Sequence, residues 1–523
     1  MSESKKALKL RIKQLENELD VMRNKFDQHE RDYNELLHQL KQLQRDRFGS
    51  KSERYVDPNH PQLSFDDWVE EVSTTDETTE NEDNVVSIAS YKRRKKAKRD
   101  FCESLPRKEI IIPVANEDQV CACGCQKVVI NHTDHKRLHY IPPVYEVHIE
   151  RREIMACPKH CQGAMVTAPK PKRILPKTKF TESILAHIIV SKLDDRQPYY
   201  HLEKQFKSRA GFDFSRQTMT KATIECSKAL QPLVNLMKDE MIGYDVGSLD
   251  ATTFQVLKEP ERSPTTKSYA YCMRGGPPGK EAIVYEYNAS NHKEFVQNWW
   301  SGFRGMLHCD ADSFFDYLFK PTWVIESNCN SHARRKFEPT ARATKYVPGL
   351  AQQALLFYKR LYRIEAKAKN EGMTAAQRYK LRQKYSKPIM IEFKQWLDKH
   401  IQQTVPKSPL RTAMNYCLKH WDGLCCFLND GRLEIDNNLT EQEIKPFVMA
   451  RKNFLFACSV AGAKALCLHM SLIRTAKKHG LDPYWYYVTI LERIPHCETV
   501  EDYEALLPWN IEINKVGSVN SAA

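Results

Sequence analysis

The sequence predicts a multidomain protein of mixed α+β and α/β class, in which a sheet-containing core is joined to helical and metal-binding segments. Three observations support this prediction. They are a coiled-coil pattern over the first forty-odd residues, two cysteine clusters between residues 121 and 161, and a change from helical to strand-like periodicity at Asp245. The 523 residues suffice for about three to five domains, so a single small binding module is excluded.

The amino-acid composition limits the classes of protein to which this chain can belong. Hydrophobic residues make up 41% of the chain, and no apolar run approaches the roughly 18 residues that span a membrane. The first residues lack an apolar signal core, so we expect a cytoplasmic protein whose sixteen cysteines are thiols or metal ligands. Lys and Arg exceed Asp and Glu by 14, which suits a polyanionic partner such as DNA.

Residues 1–54 are predicted to form a coiled coil followed by a short basic segment around Gly49. The seam positions alternate in steps of four and three, with His29 as their one polar member. They are Leu8, Ile12, Leu15, Leu19, Met22, Phe26, His29, Tyr33, Leu36, Leu40 and Leu43. We expect a homodimer or higher oligomer through this seam. The alternative is one amphipathic helix packed on the protein's own core.

Residues 55–105 are predicted to be a disordered linker. They are polar, rich in Ser, Thr and acidic residues, and poor in apolar ones. The linker ends in a basic run at 92–99, which can either lie along phosphates or pair with the acidic stretch before it.

The two cysteine clusters indicate a zinc-ribbon-like module over residues 106–170. A β-like stretch separates the clusters, and structural zinc takes four N or S ligands at tetrahedral corners. The expected ligands are Cys121, Cys123, Cys157 and Cys161. Their spacings depart from the common two-residue knuckle, so Cys125 or His160 can substitute. The alternative is a set of buried thiols.

Residues 175–243 have a helical pattern that includes the features of a helix-turn-helix. A first helix ends at a turn containing Gly211, and Ser215 can cap a basic second helix. The outward-facing residues expected to contact DNA are Arg216, Gln217 and Lys221. Ordinary helical pairs have the same pattern, so simple packing is the competing interpretation.

Over residues 244–338 short strand-like runs alternate with turns and helices. The runs are 248–257, 269–273, 282–287, 305–310 and 323–327. These runs would form antiparallel hairpins, which are followed by a strand, a helix and another strand. This order is typical of a ribonuclease-H-like sheet, in which the first and fourth strands are neighbours. Asp250 and Asp310 fall on these two strands, so we expect the two carboxylates to lie side by side.

A third carboxylate is expected from a helix near the sheet. Three carboxylates can hold two divalent ions, which stabilise charge on the attacking and leaving oxygens of a phosphodiester. Glu441 would lie in the first turn of a helix capped by Asn438 or Thr440, with Lys445 one turn later to bind phosphate. Glu434 is the competing candidate. Residues 431–460 would thus complete the core, and 461–510 would form a helical C-terminal domain.

Several long stretches are specific enough to suggest a family. They are 47–53, 250–257, 302–310, 332–337 (His-Ala-Arg-Arg-Lys-Phe), 430–438 (Asp-Gly-Arg-Leu-Glu-Ile-Asp-Asn-Asn), 451–456 (Arg-Lys-Asn-Phe-Leu-Phe) and 471–477 (Ser-Leu-Ile-Arg-Thr-Ala-Lys). With the zipper and the cysteine clusters, they make nearly the whole chain resemble the insertion sequence 66 family of transposases, the large subunit with a DDE catalytic triad.

The resemblance implies an enzyme that cuts and joins DNA at the terminal inverted repeats of its own mobile element by a Mg²⁺-dependent two-metal mechanism. Asp250, Asp310 and Glu441 look like the metal-binding triad. Water would attack first, and the freed 3′ hydroxyl would then attack target DNA. The resemblance also implies a helical insertion at 339–430, a bacterial, nucleoid-associated protein, and two small accessory proteins of the same element as partners.

Further basic residues are expected to contact DNA. They are Lys445, His332, Arg334, Arg335, Arg451 and Lys452, which lie around the three acids. For the residues at 332–335, ordinary helix-surface charge is the alternative.

The chain departs from the family pattern at four places. Ala251 stands where the family has Glu, residues 330–331 replace Trp-Ala, Asp312 replaces Tyr, and Gln442 replaces Arg. The proposed triad is intact, so we expect a competent enzyme. The alternative is a catalytically inert, sequence-specific DNA-binding protein derived from a transposase, and a third possibility is a cellular structure-specific nuclease. Mg²⁺-dependent cutting of the element ends distinguishes them.

Overall fold

The computed structural model describes residues 144–155, 165–289, 300–311, 323–343 and 349–513, together with Met22, Val129, Asn298, Phe315 and residues 318–321. The linker at 55–105, the coiled-coil seam apart from Met22 and all the expected zinc ligands therefore lie outside the described residues. No helix of the described ranges is long and apolar enough to cross a membrane. The ten cysteines in these ranges are free of disulfides.

The chain divides into two compact units, and the described residues from Glu150 to Ile513 belong to one of them. A small antiparallel pair, β1 (Ile154–Met155) and β2 (Val166–Thr167), comes first in the described part of this unit beyond Glu150.

Within residues 165–289, three helices precede the main sheet. They are α1 (Glu182–Leu193), α2 (Tyr199–Ala210) and α3 (Arg216–Ile242). Gly211 follows α2 with φ of +65°, a left-handed conformation that glycine adopts without strain. The hydroxyl of Ser215 accepts the amide of Thr218 at 3.3 Å. The predicted glycine turn and serine cap are both present.

The main sheet has the strand order β5-β4-β3-β6-β7, with β8 added to the far end of β3. The strands are β3 (Val246–Lys258), β4 (Lys267–Gly275), β5 (Ala282–Asn288), β6 (Gly305–Cys309), β7 (Val324–Asn328) and β8 (Phe456–Ser459). β3, β4 and β5 are antiparallel, whereas β6 is parallel to β3 and β7 is parallel to β6. All five predicted strands are present, and β8 was not predicted.

Register places the first two acids at the same level of the sheet. Ser248 on β3 is opposite His308 on β6, so the same register carried two residues further aligns Asp250 with Asp310. Gly305 allows β6 to begin against the start of β3, because a Cβ at this position would lie 2.1 Å from the carbonyl oxygen of Asp245. Its φ of +146° also favours glycine.

The sheet and the helices around it share one hydrophobic core. Buried residues of α1 and α3 belong to this core together with those of β3 to β6 and of two C-terminal helices, α11 (Val460–Lys478) and α12 (Pro483–Arg493). Residues of the helical segment 175–243 and of the C-terminal segment 461–510 therefore contribute to the same core as the sheet. The hydroxyls of Ser471 and Thr475 on α11 accept the amides of Tyr285 and Ile283, which satisfies the outer edge of β5.

A second core lies in a helical segment between β7 and the last part of the sheet domain. Its helices are α4 (Asn330–Ala343), α5 (Leu350–Asn370), α6 (Ala375–Leu381), α7 (Lys387–Ile401), α8 (Pro409–Lys419) and α9 (Trp421–Cys425), with a π-helical turn at Arg382–Ser386. Helix α4 runs across the boundary between residues 338 and 339 that we expected for the insertion.

Helix α10 (Asn438–Phe454) returns the chain to the sheet, and α13 (Val500–Glu504) is the last helix of the described residues. One detail of the prediction is wrong here. Neither Asn438 nor Thr440 caps α10, because the N-cap position is Asn437 and its side chain makes no capping bond. Residues 300–302 form a turn. Asp482 caps α12, since its side chain accepts the amide of Trp485.

Candidate active site

Three acidic residues from separate elements form one electrostatic cluster. Asp250 lies on β3, Asp310 directly follows β6, and Glu441 lies in the first turn of α10. The charges of Asp310 and Glu441 both act on the carboxyl of Asp250. The structure thus brings together the three acids that the sequence singled out, although they are as far as 191 positions apart in the chain.

The surroundings of Asp250 disfavour its charged form. The pKa of Asp250 is raised to about 7, mainly by burial and also by the neighbouring charges of Asp310 and Glu441. The amide of Ala251, which donates to Asp250 Oδ1 at 2.7 Å, and the guanidinium of Arg335 act in the opposite direction. A bound cation would lower the pKa of Asp250, because it stabilises the charged form and neutralises the repulsion between the carboxylates.

The competing acid, Glu434, has different neighbours. Its carboxylate pairs with Arg378 on α6 at 3.1 Å, and it is not among the charges that shift the pKa of Asp250. The geometry therefore favours Glu441 over Glu434 as the companion of the two aspartates.

Hydrogen bonds to β3 fix the start of α10 and with it Glu441. The side-chain amide of Asn437 donates to the carbonyl oxygen of Leu249 at 3.1 Å, next to Asp250. The hydroxyl of Thr440 donates to that of Ser248 at 2.7 Å. Both Asn437 and Thr440 are almost fully buried, so these bonds are shielded from water.

The turn before α10 has its own support. Asp436 accepts the amide of Asn438 at 3.2 Å through one carboxylate oxygen. The other oxygen accepts the side-chain amide of Asn438 and the hydroxyl of Tyr362, both at 2.8 Å. Sequence analysis assigned no role to Asp436 and considered Asn438 only as a helix cap, so it missed these positioning roles. The signal was available, because short polar side chains before a helix favour local hydrogen bonds.

Two basic side chains of α4 approach Glu441. Arg335 donates to both carboxylate oxygens of Glu441, at 3.0 and 3.5 Å, and this pairing raises the pKa of the guanidinium. His332 Nδ1 lies 3.7 Å from Glu441 Oε1. Burial lowers the pKa of His332, so the imidazole is neutral at pH 7.

A second set of donor atoms overlaps the carboxylate cluster. Ligand atoms of Cys329, His332 and Glu441 all lie within 4.8 Å of one another. The sulfur of Cys329 accepts the amide of Asn437 at 3.1 Å, and burial raises the pKa of this thiol to about 12. The three carboxylates suit a hard ion such as Mg²⁺, whereas the thiol and imidazole suit a softer ion.

The other residues expected to contact DNA fall into two groups. On α10, Arg451 donates to the hydroxyl of Thr252 at 3.4 Å, and Thr252 is two residues beyond Asp250 on the same face of β3. Lys445 and Lys452 are exposed on the same helix. Arg334 instead pairs with Glu338 along α4 at 2.6 Å.

The expected recognition residues lie on another element. Arg216, Gln217 and Lys221 are exposed at the start of α3, and Arg216 pairs with Glu203 of α2 at 3.1 Å. None of their described contacts reaches the carboxylates. The structure therefore groups Arg335, His332 and Arg451 with the acids, and leaves the start of α3 as a distinct basic surface.

Comparison with known proteins identifies the family of this chain. A family model described as the transposase IS66 family matches residues 177–465, which contain all three acids. A model described as the IS66 C-terminal element matches residues 471–509, and one described as the transposase C of IS166 homeodomain matches residues 35–110.

The chain is also similar to three uncharacterised proteins of Sinorhizobium fredii. It is 31% identical to y4qI over 91% of this chain and 89% of that protein. Identity to y4jD is 28% over 90% and 93% of the two chains, and to y4hP it is 25% over 84% and 81%. The first family model alone covers more than half of the chain, and the relatives align along most of it. The chain therefore belongs to the transposase IS66 family.

Proposed function

We propose that this protein is a DDE-type DNA transposase that binds the terminal inverted repeats of its mobile element and catalyses Mg²⁺-dependent strand cleavage and strand transfer. The observation that carries the proposal is the convergence of Asp250, Asp310 and Glu441 from three elements into one cluster, in which burial and the two neighbouring charges raise the pKa of Asp250 to about 7. Strongly shifted acids of this kind concentrate at functional sites. Membership of a transposase family supports the same reading.

The strand order supports a ribonuclease-H-like core. Three antiparallel strands are followed by two strands parallel to the first, and α10 then brings the third acid to the sheet. In this interpretation the helices from α5 to α9 are an insertion between the second and third acids. Their separate hydrophobic core is consistent with an inserted unit.

The donor set fits Mg²⁺. Asp250, Asp310 and Glu441 offer hard carboxylate oxygens, and their mutual repulsion is what a divalent cation would relieve. When bound, Mg²⁺ would stabilise negative charge on the scissile phosphate and lower the pKa of the attacking water or 3′ hydroxyl. The protein contributes three fixed carboxylates, because β3, β6 and the docked start of α10 hold them.

The neighbouring side chains would orient the DNA. Arg335 presents a planar guanidinium that binds Glu441 in the free protein and matches the geometry of a phosphate equally well. His332 is neutral, so it offers an acceptor nitrogen to a hydroxyl held beside Glu441. Arg451, beside Thr252, can bind a second phosphate.

The remaining assignments concern segments around the core. We propose that the start of α3 anchors DNA through Arg216, Gln217 and Lys221, and that residues 1–54 join protomers through a coiled coil. A structural zinc ion would be held by the cysteines at 121, 123, 157 and 161, which lie outside the described residues. The accessory proteins of the element are further proposed partners.

Substitution of the acids tests the proposal. Asp250→Ala, Asp310→Ala and Glu441→Gln should each lower Mg²⁺-dependent cleavage of a duplex carrying the element end by at least about a hundredfold, since removal of essential groups commonly costs this much. Binding of the same duplex, measured by gel shift without Mg²⁺, should persist. Glu434→Gln is the matched control and should retain cleavage.

Two results would contradict the assignment. Cleavage that survives any of the three acid substitutions would remove that residue from the site. A wild-type protein that binds the ends but does not cut them with Mg²⁺ would instead support the inert DNA-binding protein.

A further inference from the structure

Helix α10 presents an exposed stripe that continues away from the carboxylates. Its residues are spaced by three or four positions, so they lie along one face of the helix. They are Gln442, Lys445, Met449 and Lys452, and the stripe leads to Leu455 and Phe456 just beyond the helix. Met449 is 44% exposed and Leu455 is 68% exposed, so the stripe combines cationic with apolar side chains.

The backbone at Leu455 is strained. Its φ is +64° and its ψ is −46°, close to the γ-turn conformation that is rare and strained for residues with a side chain. Burial does not compensate this strain, because the side chain points largely into solvent. Strained positions of this kind concentrate where function requires a particular side chain.

The cations along the exposed face of α10 indicate the chemical nature of its binding partner. Lys445, Arg451 and Lys452 take part in none of the salt bridges that the described residues form, whereas Arg216, Arg334 and Arg335 are each paired with a glutamate. Three cations without acidic partners beside apolar side chains complement the phosphates and bases of DNA. An acidic protein surface would satisfy the cations but would leave the exposed leucine without an apolar contact.

The distance from Glu441 to Leu455 predicts where on the DNA this surface would make contact, relative to the bond that is cleaved. Leu455 follows Glu441 by 14 residues, which corresponds to about 21 Å along a helix at its usual rise. At about 3.4 Å per base pair this is a span of about six base pairs. A duplex bound with its scissile phosphate at the carboxylates can therefore run along α10 and reach Leu455.

We propose that the exposed face of α10 is a duplex-contact surface and that Leu455 is an apolar wedge in the DNA of the element end. Lys445 and Lys452 bind phosphates along the duplex, and the leucine side chain enters the base stack about six base pairs from the bond that is cut. Opening the stack there bends the DNA and holds its end at the carboxylates. The inference rests on the proposed function, because it takes the position of the cut from the three acids.

Base unstacking can be measured without catalysis. The full-length protein is mixed, in the absence of Mg²⁺, with duplexes that carry 2-aminopurine at single positions between about three and nine base pairs from the cleavage site. The wild type should increase the fluorescence at a position near the sixth base pair, and Leu455→Ala should abolish the increase. Leu356→Ala is the matched control, since Leu356 on α5 is a leucine with 50% exposure.

A second pair of variants tests the premises. Leu455→Gly should also lose the fluorescence signal, but its melting temperature should equal or exceed that of the wild type because glycine adopts positive φ without strain. Lys452→Ala should weaken end binding and reduce the slope of log K against log salt by about 1. The two variants thus distinguish base unstacking by Leu455 from phosphate binding by Lys452.

Three outcomes would overturn the inference. They are a wild type that raises fluorescence at no position, a Leu455→Ala protein that retains the signal, and a Leu455→Gly protein that melts below Leu455→Ala. Because the fluorescence assay contains no Mg²⁺, a signal from a protein that fails to cut would refute the proposed catalysis while leaving the wedge intact.

Discussion

Asp250 is the residue at which burial and like charge act most strongly together. The pKa of its carboxyl is about 7 in the folded protein, against an ordinary value of 3.8. A raised pKa in an acid means that the folded state holds its proton more tightly than the unfolded state does. The stabilisation is therefore complete below about pH 4 and is lost as the pH rises through about 7.

The raised pKa of Asp250 predicts how the stability of the protein changes with pH. The melting temperature of the metal-free protein should fall between pH 5 and pH 8 more steeply for the wild type than for Asp250→Asn, which has no proton to lose. Mg²⁺ should restore the wild type more at pH 8 than at pH 5, because it binds the deprotonated carboxylate. Differential scanning fluorimetry over this range, with and without Mg²⁺, measures both effects.

The exposed Asp213 provides the comparison for this experiment. Asp213→Asn should leave the pH profile of the wild type unchanged. Identical profiles for the wild type and Asp250→Asn would refute the raised pKa of Asp250.

At the scale of elements, the position of α10 decides whether the third acid meets the first. Asn437→Ala removes the bond to the carbonyl oxygen of Leu249, and should cost about 1–3 kcal/mol of stability because the buried oxygen loses its donor. Cleavage at fixed Mg²⁺ should fall, and more Mg²⁺ should be needed for half-maximal rate, since Glu441 is held less firmly. Urea unfolding and a Mg²⁺ titration of cleavage are the measurements.

Asn453 is exposed on the same helix and serves as the control. Asn453→Ala should change neither stability nor the Mg²⁺ requirement. If Asn437→Ala lowered stability but left the Mg²⁺ titration unaltered, the bond to β3 would have no role in positioning Glu441.

Particular elements show why local prediction succeeded in part. The strands β3 to β7 were predicted because their signals are local. Alternating apolar residues and Gly- or Pro-containing turns lie within a few residues of each other in the sequence. The cap of α10 was predicted wrongly. Asn437, at the N-cap position, and Thr440 use their side chains for hydrogen bonds to β3 and not to the amides of their own helix. A strand nearly 190 residues earlier decides that choice.

At the scale of the whole molecule, the helical segment between β7 and α10 braces the approach to the third acid. Arg382 is fully buried, and its guanidinium donates to both carboxylate oxygens of Glu365 at 2.7–2.8 Å. It also donates to the carbonyl oxygens of Phe427 and Asp430, at 2.7 and 3.0 Å. The residue thus connects the interior of this segment to the turn that leads toward α10.

Loss of this brace should be severe. Arg382→Met should cost about 3–5 kcal/mol in urea unfolding, because it leaves Glu365 as an uncompensated buried charge. Arg360→Met, which breaks the exposed pair with Glu392, should cost no more than about 1 kcal/mol. Equal losses for the two variants would contradict the bracing role, and partial recovery in Arg382→Met with Glu365→Leu would support it.

Sequence patterns alone were enough to predict the strands β3 to β7, the turn at Gly211, and Asp250 and Asp310 as neighbours. These depend on periodicity and backbone preferences that act over short distances along the chain. Only the tertiary structure decided that Glu441 and not Glu434 lies with the aspartates, and that α3 and α11 share one core with the sheet. These outcomes depend on hydrogen bonds and packing between residues more than a hundred positions apart, which no local pattern records.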